Sequence, residues 1–321
     1  MWDKKHLLDI DSFSREDIES IFKLAKIMGP YSGIDKNVRR KQTAICQGFL
    51  MTLWFEPGKE NSTRTFGSFP AAMSRLGGNH KVFDETTSSM SKGETIEDTA
   101  RILSGHSDLI VDRHRDPNHV YNVAKNSTVP VINAGNGSDQ HPTQTLLDLH
   151  CMNEAFGHID GLVVVVVGDP KYGRTVHSLM KGMVKFNDVC IVGISPPGLE
   201  LPKEYRGKNY EERSIDMSQL NKELSDIKPH VVYATRVQKE RLPEGEDPKK
   251  FTYRIDDNML KNLPEHTKIM HPLPRVDEID PGIDKNNKAI YFKQADWGVP
   301  VRMAIIVSLL DYEKEAMALK G

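Results

Sequence analysis

Apolar residues recur along the chain in two spacings that alternate from end to end. Ile18, Ile21, Phe22, Ala25 and Met28 return at helical spacing behind Ser14 and Asp17, a pair with capping-box character, so the spacing predicts an amphipathic first helix. A strand-like run follows within 44–55, and Ala71 to Leu76 reads as helix until Gly77-Gly78 stops it. Short apolar runs at 81–83, 109–111 and 129–132 predict strands, with helical stretches such as 95–103 between them.

The second half repeats the scheme. Residues 162–167 form an uninterrupted β-branched run, as expected of a strand buried on both faces, and 175–184 then reads as helix. Further strands are expected at 189–194, 231–234, 268–270 and 290–292, and the charged, Pro-containing stretch 239–250 reads as a surface loop. Strands alternating with helices predict an α/β fold: two doubly wound parallel-sheet domains, with the active site in the crevice between them at the C-terminal ends of the strands.

Composition narrows this picture only slightly. A length of 321 residues suits two domains, and a net charge of -2, with Lys and Arg spread along the chain, argues against general attraction to nucleic acid or a membrane. No apolar run reaches the ~18 residues of a membrane helix, and no signal-peptide pattern opens the chain. Cys46, Cys151 and Cys190 are far apart and lack zinc-site spacing, which suits a reducing compartment, so a cytoplasmic protein is expected.

The candidate chemistry is anion binding. Ser62-Thr63-Arg64-Thr65 gathers two kinds of hydroxyl, a guanidinium and backbone N–H groups; at a helix start these would cradle a phosphate, although such strings also cap helices that bind nothing. Five expected strand ends carry a cation or imidazole: Arg113, His141, Arg174, Arg236 and the stretch His271 to Arg275. Together they favour a site for one or more polyanions, with Asp169 and Glu56 as acids that could orient an arginine. Gly168 to Gly173 lacks the three-glycine spacing of a dinucleotide site.

Six motifs in register make the chain resemble the aspartate carbamoyltransferase catalytic chain, within the aspartate/ornithine carbamoyltransferase superfamily. They are Ser62-Thr63-Arg64-Thr65, Ser91-Lys92-Gly93-Glu94, His141-Pro142-Thr143-Gln144, Gly168 to Arg174, Thr235-Arg236-Val237-Gln238 and His271-Pro272-Leu273-Pro274-Arg275. The resemblance implies transfer of the carbamoyl group of carbamoyl phosphate to the amine of L-aspartate, in pyrimidine biosynthesis, without metal or other cofactor. It implies a carbamoyl phosphate-binding domain at 1–142 plus 298–321 and an aspartate-binding domain at 143–297, with a C-terminal helix over 301–318 returning to the first. The expected assembly is a homotrimer with shared active sites, in which Ser91 and Lys92 serve a neighbouring subunit, and regulatory chains stay open as partners.

The resemblance also implies roles. Ser62, Thr63, Arg64 and Thr65 hold the phosphate; Thr65, Arg113 and His141 point donors at the carbamoyl oxygen. Gln144 and the carbonyls of Leu273 and Pro274, across a cis bond, accept from the carbamoyl NH₂. Arg174, Arg236 and Gln238 clamp aspartate, and Lys92 reaches both substrates. The catalytic set on this reading is Arg64, Thr65, Lys92, Arg113 and His141.

The chain departs from the family pattern near the cradle. Gly58-Lys59-Glu60-Asn61 intervenes before it, Phe66 stands where a second Arg is usual, and Pro70 predicts a kink or a helix that starts only there. Trp297 replaces a small polar residue. A non-catalytic paralogue that binds carbamoyl phosphate or a partner subunit is therefore the alternative from another class. A carbamoyltransferase for another amino acid, such as ornithine, is the other alternative, against which the Arg236-Val237-Gln238 and His271 to Arg275 signatures count.

Overall fold

Parallel strand pairing organises both halves of the chain. The computed structural model describes residues 2–32, 43–54, 63–83, 88–238, 241–242 and 248–319; Glu56, Lys59, Ser62 and most of the expected 239–250 loop lie outside them. Contacts divide the chain into two units, Met1–His150 with Asp296–Gly321, and Cys151–Ala295.

The first unit opens with α1 (Arg15–Ser32), where the Asp17 carboxylate accepts from the Ser14 N–H at 2.9 Å and Ser14 Oγ accepts from the Asp17 N–H at 3.2 Å. This reciprocal pair satisfies N–H groups that a helix start leaves unpaired. There follow β1 (Phe49–Trp54), α2 (Thr63–Leu76), β2 (Asn79–Phe83), α3 (Ile96–Ser104), β3 (Leu109–His114), α4 (His119–Asn126), β4 (Val131–Asn136) and α5 (Pro142–Phe156). The four strands are parallel in the order β2-β1-β3-β4. Met51, Ile110 and Val131 pack with Leu103, Val120 and Val123 as one core layer.

The second unit contains β5 (Val163–Val167), α6 (Arg174–Met183), β6 (Cys190–Ser195), β7 (Tyr210–Ser214), α7 (Leu220–Ile227), β8 (Val231–Ala234), α8 (Asp257–Asn262), β9 (Lys268–Met270) and α9 (Tyr291–Asp296). Its strands are parallel in the order β7-β6-β5-β8-β9. The central β5 is all valine and is almost entirely buried, as a strand covered on both faces requires.

Each sheet reverses its winding at one place. In the first unit the chain moves from β1 out to β2 and then back past β1 to β3; in the second it moves from β5 out to β7 and back to β8. The gap between the two strands at such a reversal is where helices leave in opposite directions and a ligand finds room at the carboxyl ends. Arg113 lies at the end of β3, and Gly168 and Thr235 follow β5 and β8.

Several expectations need correction. Residues 290–292 are not a strand: only Ala289 bridges to Ile269, and the chain then turns into α9, burying Tyr291 and Gln294 three residues apart. Strand β7, with its charged sequence, was not anticipated. The C-terminal segment is two helices, α10 (Gly298–Leu309) and α11 (Glu313–Ala318), separated at Asp311, whose φ of 58° a right-handed helix excludes. Nor does α2 wait for Pro70: it runs from Thr63 with that proline inside. A helix-interior proline costs about 3 kcal/mol. Burial of Phe69, Met73 and Leu76, at about 1.5–3 kcal/mol each, outweighs it.

The unit boundary also differs from the expected 142/143 and 297/298, falling inside α5 and at Ala295/Asp296. His150, late in α5, still belongs to the first unit, where it meets Phe22 and stands edge-on to Trp297. Helix α10 packs against α1 and α2 and is buried along almost its whole length.

Candidate active site

In the first unit, the cradle, β3 and the start of α5 bring a group of polar residues together. Thr65, in the first turn of α2, is buried, and its Oγ1 lies 3.4 Å from Nε2 of the buried His141. His141 ends the turn before α5; its carbonyl accepts from the N–H groups of Gln144 and Thr145, and Pro142 begins the helix, where a missing N–H costs nothing. The other ring nitrogen of His141 is 3.4 Å from Thr143 Oγ1. Arg113 is buried at the end of β3 and donates to the carbonyl of Ala134 at 3.2 Å. Burial, and then the neighbouring Arg113 charge, lower the pKa of Arg64, so two guanidiniums share this region.

A third guanidinium joins them that sequence reasoning missed. Arg302 is buried within the apolar α10, donates from Nη1 to the Gly298 carbonyl at 2.9 Å, and lies 4.9 Å from the centre of the Phe69 ring on α2. Its Nε is buried without a hydrogen-bond partner among the described residues. Burial first, then Arg64 and Arg113, push its pKa down to about 9, against the opposing pull of Asp148. The available signal was a lone cation in an otherwise apolar helical run, 298–309. Asp148, fully buried on α5, accepts from Gln144 Nε2 at 2.8 Å.

Not every expected residue joins this group. Thr63 is exposed at the start of α2, and Ser62 lies outside the described residues. Lys92 is exposed at the end of a short 3₁₀ turn, 89–92, capped by Ser88 and closed by Gly93 at φ 98°.

In the second unit the residues after β5 and β8 form a separate group. Gly168, at φ 113°, brings β5 so near Thr235 that an added Cβ would lie 2.4 Å from the Thr235 carbonyl oxygen. Asp169 is fully buried and accepts from the N–H groups of Tyr172 and Gln238 at 3.1 and 3.0 Å, so it orders the backbone at both places. Burial raises its pKa against these hydrogen bonds. Arg174 opens α6, half-buried, and Arg236 lines a cavity with Thr252, Tyr253, Val276, Asp277 and Glu278. Tyr253, buried, donates to the Thr235 carbonyl at 2.7 Å and pins the start of the Thr235 to Gln238 stretch.

After β9 the His271 to Arg275 stretch turns sharply. The Leu273–Pro274 bond is cis, and Leu273 adopts φ 52°. Arg275 is not a free strand-end cation: it is paired with Asp284 and donates to the Tyr291 hydroxyl at 3.0 Å.

Both halves of the chain match known families. Residues 5–154 match the family model described as aspartate/ornithine carbamoyltransferase, carbamoyl-P binding domain, and residues 160–309 match that described as the Asp/Orn binding domain. The chain belongs to the aspartate/ornithine carbamoyltransferase family. An aspartate carbamoyltransferase catalytic subunit from Archaeoglobus fulgidus is 43% identical over 312 residues, covering 95% of this chain and 99% of its own. Among solved carbamoyltransferase structures, the catalytic subunit of M. jannaschii aspartate transcarbamoylase superposes with a TM-score of 0.83 at 39% identity, covering 97% of this chain and 99% of that one. Trypanosoma cruzi aspartate transcarbamoylase in complex with N-(phosphonacetyl)-L-aspartic acid gives 0.84 at 34% identity, covering 95% of each.

Proposed function

We propose that the chain is an aspartate carbamoyltransferase, transferring the carbamoyl group of carbamoyl phosphate to L-aspartate to give N-carbamoyl-L-aspartate and phosphate. The observation that carries the reading is the mutual proximity of Arg64, Arg113 and Arg302, with Thr65, next to Arg64 in sequence, buried 3.4 Å from His141. Several partly desolvated cations close to one another repel unless a multiply charged anion lies among them. Carbamoyl phosphate has that charge.

Aspartate's amine attacks the carbamoyl carbon; a C–N bond forms and the C–O bond to phosphate breaks. The electron pair goes to the phosphate oxygen, and the amine proton passes to the departing phosphate. Thr65, Arg113 and His141 would offset charge on the carbamoyl oxygen as it develops. Thr63, Arg64 and Thr65, with Ser62, hold the phosphate; Gln144 and the Leu273 and Pro274 carbonyls accept from the carbamoyl NH₂. Arg174, Arg236 and Gln238 hold the aspartate carboxylates, which guanidinium forks fit bidentately. Catalysis is then positioning and electrostatics.

The exposed Lys92 turn supports a shared site: Lys92 would complete the site of a neighbouring copy in a homotrimer. The cellular setting proposed is the cytoplasm and pyrimidine biosynthesis, with regulatory chains as open partners. Steady-state carbamoyl transfer by the purified chain, with aspartate and ornithine as alternative acceptors, tests the activity. Mixing Lys92→Ala with Arg64→Ala tests sharing: partial recovery of activity is expected, and none in mixed trimers would count against it.

A further inference from the structure

We propose that His271, held by Glu278, is a positioning residue that sets the Leu273 backbone; this rests on the reading that the Leu273 and Pro274 carbonyls face the carbamoyl NH₂.

The hydrogen bonds fix the imidazole's state. The Leu273 N–H donates to His271 Nδ1 at 2.7 Å. A backbone amide can only donate, so Nδ1 carries a lone pair and the ring proton sits on Nε2. Nε2 lies 2.8 Å from Glu278 Oε1, which accepts that proton's hydrogen bond. Both side chains are buried.

Glu278 is held in turn. Its carboxylate accepts from the N–H groups of Val276 and Asp277 at 3.2 and 3.0 Å. Its backbone carbonyl accepts from Ile255 at 2.9 Å, and the His271 N–H donates to Gln294 Oε1 at 2.8 Å. The imidazole is therefore anchored at both ends.

Leu273 needs such an anchor. At φ 52° a leucine is in the left-handed region, which side chains disfavour and which persists only where the surroundings determine it. Its N–H bond to His271 fixes the peptide plane that leads into the Leu273 and Pro274 carbonyls.

Two substitutions separate the two ends of the ring. His271→Asn keeps an acceptor near the Nδ1 position but loses the Nε2 donor, whereas His271→Gln keeps a donor toward Glu278 and loses the acceptor for Leu273. In the full-length enzyme, kcat is expected to fall about threefold in His271→Asn and tenfold to a hundredfold in His271→Gln, with KM for aspartate nearly constant. Equal losses in the two variants, or a wild-type kcat in His271→Gln, would overturn the proposal. Imidazole ¹⁵N shifts of the wild-type protein supply a readout that needs no variant to fold: an Nε2–H tautomer is expected, and an Nδ1–H tautomer would refute the arrangement. A wild-type protein that transfers no carbamoyl group would instead sink the functional reading, and the tautomer would still decide the hydrogen bonds.

Discussion

Gln144 donates through Nε2 to the Asp148 carboxylate at 2.8 Å, one turn further along α5, and Asp148 has no exposed surface. Because a carboxylate only accepts, it fixes which way the Gln144 amide points and leaves Oε1 directed elsewhere as an acceptor. Asp148→Asn introduces a donor and removes that constraint. It is expected to lower kcat by about tenfold to a hundredfold, with little change in KM for aspartate. Steady-state kinetics checks this, and a wild-type kcat would show that the amide needs no such partner.

Arg302 is predicted to favour anion binding at a cost in stability. It is a buried cation whose Nε lacks a partner among the described residues, and apolar residues of similar size often replace buried charges without loss. Arg302→Met is expected to raise the melting temperature while weakening binding of inorganic phosphate about tenfold, the factor corresponding to about 1.4 kcal/mol. Calorimetry of both quantities on one preparation tests the trade. An unchanged phosphate affinity would remove Arg302 from the electrostatics of the site.

His150 makes stability depend on pH. Burial, with a smaller contribution from Lys26, lowers its pKa from 6.5 to about 4, and neither ring nitrogen has a hydrogen-bond partner among the described residues. Below pH 6.5 the unfolded chain takes up the proton while the native state stays neutral, so stability falls as pH drops toward 4 and then levels off. The full loss is about 3 kcal/mol. Urea unfolding at pH 7 and pH 4 should show that loss in the wild type and a smaller one in His150→Phe.

Gly168→Ala is expected to damage the second unit. Its φ of 113° disfavours any side chain, and the new Cβ would meet the Thr235 carbonyl, which cannot swing aside. The destabilisation should exceed about 1 kcal/mol. Because Thr235 leads directly into Arg236, KM for aspartate should rise in the protein that still folds.

Much of the fold was legible because polar motifs interrupt apolar runs at strand ends: β5, β8 and β9 stand where short apolar runs and the residues after them place them. What the spacing could not supply was the identity of distant partners. Arg275 looked like one more site cation, yet Asp284 and Tyr291 claim it. Arg302 was overlooked because only folding brings α10 against α2. Residues 290–292 read as strand because three apolar residues carry no period, whereas burial of Tyr291 and Gln294 follows a helical one. Strand β7 escaped because its sequence, Tyr-Glu-Glu-Arg-Ser, is nearly all polar.

Carbamoyl transfer by the purified wild-type chain tests the central claim most directly. With carbamoyl phosphate supplied and product identified, turnover with aspartate to N-carbamoyl-L-aspartate and an equal amount of phosphate is predicted, with none from ornithine and almost none from Arg113→Ala. Binding of carbamoyl phosphate without turnover on either acceptor would contradict the account and favour a non-catalytic carbamoyl phosphate-binding protein.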